Sequence, residues 1–243
     1  FNDLGANLDF RVESDGNANM LFVDGGANKV GIGTNAPIAD LHISGGAPTR
    51  LLLQMDGDTA GGEAQLQFKA DSQDTDARIK AAIIFRRDDP GTRGTGDLHF
   101  AVNGDNNDVS ATTAHSRMTI ESTGSIIINP QGADADFRVE SDGNANMLFV
   151  DGGTNRVGIG TGVPSTNLHI KGGADMGIRI EADSDGYAQL QFGDADDTVR
   201  GAVAYNNSTD VLELRGMNNA IRFQIASDGS LSTPTAGTSN VRF

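Results

Sequence analysis

Cysteine is absent from the 243-residue chain, and so is tryptophan. The lack of cysteine excludes a disulfide scaffold, a thiolate metal site and a cysteine nucleophile, and it leaves the redox compartment undetermined. Without disulfide bonds, the folded state must be stabilised by the packing of its side chains.

Long hydrophobic runs are lacking as well. The longest apolar segments, such as 81–85 and 126–128, fall far short of the roughly 20 residues that cross a bilayer. No charged segment followed by an apolar one opens the chain, as a signal peptide would require. The sequence therefore predicts neither membrane insertion nor export through a signal peptide.

Basic side chains are scarce: 18 Lys and Arg stand against 33 Asp and Glu, which gives a formal net charge of −15. Such a chain cannot neutralise a run of phosphates, so nucleic acid is excluded as a partner. Gly, Asp and Asn together supply 78 residues, and these residue types favour turns. Because Val, Ile, Leu and Phe form short, evenly spaced clusters between these turn signals, the sequence predicts an all-β chain.

A long internal repeat organises the sequence. Residues 9–46 recur at 136–173 with an offset of 127 and with 30 of 38 positions identical. The similarity continues with a drifting offset in two further pairs of segments, 62–68 with 186–192 and 117–126 with 222–231.

The repeat predicts six segments, and the chain is expected to be a fragment of a longer repetitive polypeptide. They are the end of a preceding repeat (1–8), a first copy of a β shaft motif (9–46), a first loop-rich β knob (47–135), a second copy of the shaft motif (136–173), a second and shorter β knob (174–234), and the start of a following segment (235–243).

Apolar residues of the shaft motif alternate with other residues, as they do in β-strands. In the first copy the alternating pairs are Phe10 and Val12, then Leu21 and Val23 or Met20 and Phe22, then Val30 and Ile32, and last Leu41 and Ile43. Asp-Gly and Gly-Gly dipeptides between these pairs are expected to supply positive φ in tight hairpins. The motif therefore predicts a repetitive antiparallel β-meander.

Glycines at every second position mark the run from Val30 to Thr34, and Pro37 is expected to end the strand pairing. One face of that strand would then carry no side chain, which allows close approach by another group. We expect the approaching group to be the backbone or an aromatic side chain of a neighbouring chain, the candidates being Phe10, Phe22, Phe137 and Phe149.

A meander of about forty residues cannot bury enough apolar area to offset the ~1–2 kcal/mol per residue that backbone ordering costs. Two copies spaced 127 residues apart are too few for a continuous core within one chain. We therefore expect burial against identical stretches of sister chains, in an elongated homo-oligomeric fibre.

The motif resembles a signature of bacteriophage tail-fibre shafts and of related surface proteins that often end in an endosialidase-type intramolecular chaperone. The signature reads asparagine-x-valine-glycine-isoleucine-glycine-threonine, then proline, then leucine-x-isoleucine. The matching positions, predicted to be structural, are Val30, Gly31, Ile32, Gly33, Thr34 and Pro37, and Val157, Gly158, Ile159, Gly160, Thr161 and Pro164. The resemblance implies a trimeric, β-rich fibre on the virion that reaches or binds the host surface. No serine–lysine chaperone dyad is recognisable, so a self-cleaving end would lie beyond Phe243.

Clustered aspartates raise the question of a Ca²⁺ site, because Ca²⁺ prefers oxygen ligands. The clusters are Asp56 and Asp58; Asp71, Asp74 and Asp76; Asp183 and Asp185; and Asp194, Asp196 and Asp197. None fits the EF-hand spacing or the glycine-rich nonapeptide repeat. Solvated turn carboxylates are the favoured interpretation, with a bound ion as the alternative.

Four histidines occur, and two of them occupy equivalent places in the repeated Leu-His-Ile strands. They are His42, His99, His115 and His169. If Leu41 and Ile43 face the core, His42 faces the opposite way. A threefold ring of such histidines could bind a transition metal, but a strand-face role is favoured, and we expect neither metal nor cofactor.

Catalysis is not expected. Asp and Glu are plentiful enough that some carboxylate pair would always be found, whereas only two tyrosines and no tryptophan could form an aromatic platform for a sugar. A serine nucleophile elbow and a phosphate loop are also lacking, and the Val30 to Thr34 run lacks the third glycine of a dinucleotide fingerprint.

The leading hypothesis is a structural fibre protein of a phage tail that takes part in host attachment and receptor recognition. Its partners would be two sister chains, other virion tail proteins, and a host surface polysaccharide or outer-membrane receptor. The alternatives are a bacterial extracellular adhesin or surface filament protein and, third, a capsule-degrading tailspike. The variable loops of the two knobs are the expected site of recognition.

Overall fold

The computed structural model describes residues 5–57, 59–70, 78–89, 94–216 and 218–233. Within these ranges the chain forms eighteen strands in four sheets, a single 3-10 turn at Thr113–His115, and no α-helix. The prediction of an all-β chain is confirmed. No helix of the described ranges is long and apolar enough to cross a membrane.

The strands are numbered in chain order, and consecutive strands form each sheet. The first motif sheet contains β1 (Phe10–Ser14), β2 (Asn17–Asp24), β3 (Lys29–Ile32) and β4 (Leu41–Ile43). The second motif sheet contains β10 (Phe137–Ser141), β11 (Asn144–Asp151), β12 (Arg156–Ile159) and β13 (Leu168–Ile170).

Two five-stranded sheets follow the motif sheets in the chain. The first contains β5 (Glu63–Phe68), β6 (Ala81–Arg87), β7 (Gly96–Val102), β8 (Ser116–Ile120) and β9 (Ile126–Ile128). The second contains β14 (Tyr187–Phe192), β15 (Gly201–Asn206), β16 (Val211–Gly216), β17 (Ala220–Ile225) and β18 (Leu231–Ser232).

The first motif sheet corrects the predicted antiparallel meander in its last strand pair. β1, β2 and β3 pair in antiparallel fashion, but β4 pairs with β3 in parallel. The chain crosses over between them through residues 33–40. Two hydrogen bonds connect the residues on either side of β4 to β3: Val30 N donates to Asp40 O at 2.8 Å, and Ser44 N donates to Ile32 O at 2.8 Å. Alternation of apolar residues predicts a strand but not its direction.

The glycines of the predicted hairpin turns act differently from the expectation. Neither Gly16 nor the pair Gly25 and Gly26 has a positive φ; the left-handed residue of the β2–β3 turn is Asn28, with φ of 57°. A Cβ on Gly25 would lie 2.5 Å from the carbonyl oxygen of Leu8. Glycine is therefore required at position 25 by close backbone approach and not by its dihedral angle.

Both five-stranded sheets are antiparallel meanders in which each strand pairs with the next. The two pairs of similar segments found in the sequence occupy equivalent positions: 62–68 and 186–192 contain the first strand of each sheet, and 117–126 and 222–231 span the turn before the last strand. The second copy therefore has the same strand order with shorter connections.

The chain divides into two compact units, Phe1–His169 and Ile170–Phe243. Within each unit, and among the described residues, strands make extensive contacts with their neighbours in one sheet. Each sheet is thus a single layer. The main buried cluster, in the first unit, joins Ala82, Ile84 and Ala101 with Ala111 from the loop that follows β7.

Candidate interaction surfaces

One face of the first five-stranded sheet is apolar across all of its strands. Cross-strand pairing aligns one row of five residues and a second row beside it: Leu66, Ile83, Phe100, Met118 and Ile128, and Ala64, Phe85, Leu98, Ile120 and Ile126. Directly opposed residues lie on the same face of a sheet, so these ten residues form one surface, named here the first apolar face. Leu66 is 43% exposed and Ile126 is 63% exposed.

The opposite face of this sheet is covered by the chain itself. Ile84 is fully buried beneath the loop that carries Ala111. His99 lies on the same face, with Nδ1 at 3.0 Å from Ser116 Oγ and at 3.1 Å from Thr119 Oγ1. Ser116 is buried and donates its hydroxyl proton to Thr113 O, so this Ser–His contact belongs to the packing of the face.

The second five-stranded sheet repeats this asymmetry. Its second apolar face contains the aligned rows Leu190, Val203, Leu214 and Phe223, and Ala188, Tyr205, Leu212, Ile225 and Leu231. Leu190 at its edge is 54% exposed. A large apolar surface is therefore open to solvent at the same place in both copies.

The opposite face of the second sheet is polar and closed by its own side chains. Glu213 is 3% exposed and forms an ion pair with Arg215, whose Nη2 lies 2.5 Å from Glu213 Oε2. The guanidinium of Arg215 lies 4.4 Å from the ring centroid of Tyr187, which is a cation–π contact. These groups satisfy each other and leave the apolar face as the incomplete side of the sheet.

The motif sheets also have an apolar face. In the first sheet one row aligns Phe10, Val23, Val30 and Leu41, and Ile32 pairs with Ile43 beside it. The second sheet aligns Phe137, Val150 and Val157 in the same way. Phe10, Leu41 and Phe137 are all exposed. Val30 and Ile32, predicted as structural positions, therefore lie on an open apolar surface.

Gly31 lies on the other face of the first motif sheet, opposite Phe22 of β2 and His42 of β4. A Cβ on Gly31 would overlap the carbonyl oxygen of Thr34. The space beside Gly31 is thus filled by its own chain, and Phe22 of the same chain is its cross-strand neighbour. The contact with a neighbouring chain stays a prediction. The second copy repeats this arrangement with Phe149 opposite Gly158.

Gly33 is not a strand residue, which corrects the predicted bare strand face. It follows the end of β3 with φ of 77°, its N–H donates to Asn19 O at 2.7 Å, and a Cβ would overlap Ser44 O. Gly160 has φ of 75° and donates to Asn146 O at 2.7 Å. These glycines turn the chain sharply between β3 and the crossover.

Thr34 and Pro37 continue this turn. Thr34 Oγ1 accepts a hydrogen bond from Ala36 N at 3.1 Å, and Pro37 is buried. In the second copy Thr161 Oγ1 accepts from Val163 N at 3.2 Å, and Pro164 O accepts from Arg156 Nη1 at 3.0 Å. The motif residues thus build the crossover. Ile159, the last residue of β12, is exposed like its counterpart Ile32 in the first copy.

One of the predicted aspartate clusters, Asp194 with Asp196 and Asp197, forms a turn in which a carboxylate accepts backbone hydrogen bonds. Asp194 Oδ1 accepts from the backbone N–H groups of Asp196 and Asp197 at 3.1 and 3.0 Å, and Asp194 also forms an ion pair with Arg200. Among the described residues no three potential ligands converge. Asp58, Asp71, Asp74 and Asp76 lie outside the described residues.

The two strand histidines face away from the apolar side, as the alternation predicts, because His42 pairs with Gly31 while Leu41 pairs with Val30. Leu41 is exposed in the single chain, on the apolar side of the sheet. His42 Nδ1 is buried without a hydrogen-bond partner in the described part of the chain, and His169 Nδ1 accepts from Ser165 N at 3.3 Å. His115 caps the 3-10 turn through Thr112.

The carboxyl groups of Asp88 and Asp151 have pKa values shifted by their local contacts. Partial burial and a hydrogen bond with Asp97 raise the pKa of Asp88, and the negative charge of Asp97 adds to the effect. The side chain and backbone of Thr154 donate to Asp151 and hold the pKa of that carboxyl below its ordinary value.

Cavities occur at the borders of the apolar faces. One of about 500 Å³ is lined by Leu52, Met55, Ala64 and Phe85, among others. A second, also of about 500 Å³, is lined by Tyr205, Asp210, Leu212, Ile225 and neighbouring residues. Both cavities continue the apolar faces, so they are parts of the same incomplete surfaces.

Comparison with known proteins adds no relative. The chain matches no protein-family model, and no curated protein matches it. The class that the fold and surfaces define is an all-β repeat chain made of single-layer sheets, each with one exposed apolar face.

Proposed function

We propose that the chain is a segment of a trimeric bacteriophage tail fibre that supports attachment to the host. Its motif sheets form the shaft, and its five-stranded sheets form thicker knobs. The observation that carries the proposal is the exposed apolar face of every sheet, because a single-layer sheet needs a second surface to cover it.

The small number of buried apolar side chains supports assembly. Among the described residues only eight hydrophobic side chains are buried, and five of these are alanines. Full burial of a large side chain contributes about 1.5–3 kcal/mol, whereas ordering the backbone costs about 1–2 kcal/mol for each residue. Exposed side chains such as Leu66, Phe85 and Leu190 would therefore be buried on assembly, and their burial would stabilise the oligomer.

The same sheets of neighbouring copies of the chain are the proposed contact surfaces for these apolar faces. Three copies around one axis would bring three equal apolar faces together and leave the opposite faces outside. Those outer faces are already closed, by the loop with Ala111 in the first sheet and by Glu213 and Arg215 in the second. The resemblance of the Val30 to Thr34 run to tail-fibre shafts supports a threefold assembly on the virion.

Recognition belongs to the outward loops in this arrangement. Three of the four connections of the first five-stranded sheet are longer than their counterparts in the second, while the strands are equivalent. Loops on a rigid β scaffold accept such variation and commonly carry binding. Host polysaccharide or an outer-membrane receptor is the proposed ligand class, and other virion tail proteins are the proposed structural partners.

Electron microscopy of the purified chain tests the shape. The proposal predicts thin rods with threefold cross-sections and two thicker regions, whereas round particles would contradict it. For attachment, labelled chain is added to a panel of bacterial strains. Strain-restricted binding supports recognition; binding to no strain, or equal binding to all, contradicts it.

A further inference from the structure

Two strand-patterned segments lie directly before the five-stranded sheets without forming strands. Residues 50–55 precede β5, and residues 177–181 precede β14. In the second segment Ile178 and Ile180 alternate with Arg179 and Glu181, which is the period of a β-strand. The first segment has three consecutive leucines, Leu51 to Leu53, and the two segments occupy equivalent places in the two copies.

Both segments are exposed and unpaired in the described part of the chain. Leu52 is 77% exposed and Ile178 is 69% exposed. Among the described residues, no backbone hydrogen bond joins either segment to another part of the chain. The backbone N–H and C=O groups of an extended apolar segment tend to form hydrogen bonds with a neighbouring strand.

In the first five-stranded sheet, β9 is the last strand, and within the described part of the chain no strand pairs with its outer edge. Asn129 N donates to Arg117 O at 2.8 Å, and Glu121 N donates to Ser125 O at 2.9 Å. In an antiparallel ladder the hydrogen-bonded pairs alternate with non-bonded pairs, so Ile127 directs its backbone groups toward β8. Those of Ile126 and Ile128 point to the open edge.

In the second five-stranded sheet, β18 is the last strand, and no other strand of the described residues pairs with its outer edge. Ala226 N donates to Ser230 O at 2.9 Å, and Leu231 is the next residue of the pairing, opposite Ile225. By the same alternation, Leu231 directs its backbone groups away from β17. It is exposed, like Ile126, the residue that it matches in the sequence repeat.

We propose that each segment adds as an extra strand to the open edge of a neighbouring copy: residues 50–55 to β9, and residues 177–181 to β18. A neighbouring copy is the fitting occupant because, in its own chain, each segment adjoins the first strand of the sheet, four strand spacings of about 4.8 Å from the open edge. This inference rests on the proposed oligomer.

Strand exchange of this kind also limits aggregation. Each copy offers one donor segment and one acceptor edge per sheet, so the contact is head-to-tail and closes when three copies form a ring. The added strand would extend the apolar face at Ile126 and Ile128 with leucines of the 50–55 segment. Main-chain pairing would supply affinity, and the side chains would set the register.

Amide hydrogen exchange on the assembled chain tests strand addition. We expect the amides of 50–55 and 177–181 to exchange at least about 100-fold more slowly than an unstructured peptide. An assembled oligomer in which these amides exchange at the unprotected rate would overturn the inference while leaving the proposed fibre intact. A monomeric chain would instead contradict the proposed function itself.

Cysteine cross-linking identifies the edge, because the chain has no native cysteine. Ile127→Cys is combined with Leu51→Cys in one protein and with Leu52→Cys in another. Adjacent strand residues point to opposite faces, so only one combination should give covalent trimers on a denaturing gel. The matched control replaces Ile127→Cys with Val12→Cys, on the exposed face of another sheet. Equal cross-linking in the control, cross-links within one chain, or no cross-link at all would overturn the pairing with β9.

Discussion

Gly33 combines two constraints at one residue. Its φ of 77° lies in the left-handed region, and the space where a Cβ would stand is filled by the carbonyl oxygen of Ser44. A β-branched residue is strained in this region even without a steric neighbour. The dihedral angle and the close contact therefore act together at the start of the crossover.

Gly33→Val should destabilise the protein by about 1–3 kcal/mol per chain through backbone strain and overpacking. Gly16→Val is the matched control, because Gly16 lies in a turn of the same sheet with open space around its Cβ position and without a positive φ. Thermal melting of both variants measures the difference. A midpoint for Gly33→Val equal to or above that of the unchanged protein would reject the packing account.

Asp88 gives a pH-dependent prediction. Its pKa is raised above the ordinary value of 3.8, chiefly by partial burial and by the hydrogen bond with Asp97, so the folded protein favours its protonated form. Protonated Asp88 therefore contributes fully to the stability of the folded protein when the pH is below the pKa that Asp88 has in the unfolded chain. This contribution is lost as the pH rises through the higher pKa that Asp88 has in the folded protein. Asp88→Asn keeps a hydrogen-bond donor without the charge.

Asp88→Asn should therefore melt at a higher temperature than the unchanged protein near pH 7, with a gap that narrows as the pH approaches 3.8. Melting curves across this range measure the gap. A variant that is less stable at neutral pH, or a gap that is independent of pH, would show that the two carboxyl groups do not interact as described.

At the scale of the element, the two faces of β5 give a sharp comparison. Leu66 belongs to the first apolar face, whereas Gln67 points to the opposite face, where it pairs with Ala82. Leu66→Asp should dissociate the oligomer, because burying an unpaired carboxylate between apolar sheets costs several kcal/mol. Gln67→Asp should leave the oligomer assembled.

Size-exclusion chromatography with light scattering measures both variants. The proposed interface predicts a shift to smaller species for Leu66→Asp alone. If Leu66→Asp assembles like the unchanged protein, the first apolar face is not the contact between copies. If both variants dissociate, the effect does not depend on which face of the sheet carries the charge.

The strands were predictable because their side-chain period is simple. The pairs Phe10 and Val12 and Leu21 and Val23 alternate regularly, and both lie in strands of the first motif sheet. Strand direction was not predictable, because Leu41 and Ile43 alternate equally well in either orientation. The parallel pairing depends on the crossover from Gly33 to Asp40. Hydrogen bonds join Gly33 N to Asn19 O and Val30 N to Asp40 O, and a repeating pattern of apolar residues does not predict such contacts.

Turn conformation was the weakest part of the sequence prediction. Gly25 was expected to supply positive φ, yet Asn28 does so, and Gly25 is needed because the backbone of Leu8 passes beside it. A dipeptide preference describes a local turn, whereas this contact spans 17 residues of chain. Likewise, the sequence did not reveal that carbonyl oxygens of the same chain, from Thr34 and Ser44, fill the space where a Cβ on Gly31 or Gly33 would stand.

At the scale of the whole molecule, the described chain consists of four sheets, each a single layer. Each sheet has one exposed apolar face, and in the two five-stranded sheets the chain's own side chains pack on the opposite face, so this asymmetry recurs in both copies of the repeat. Equal faces on identical chains favour a symmetric assembly. A chain of this kind is expected to gain its cooperative stability on association, so dilution should not produce a stable folded monomer.

Sedimentation equilibrium over a wide range of protein concentrations tests this claim most directly. The proposed fibre predicts a single species of about three times the chain mass of 25.3 kDa, with loss of β-structure wherever dissociation begins. A compact folded species of 25.3 kDa that persists at every concentration would contradict it.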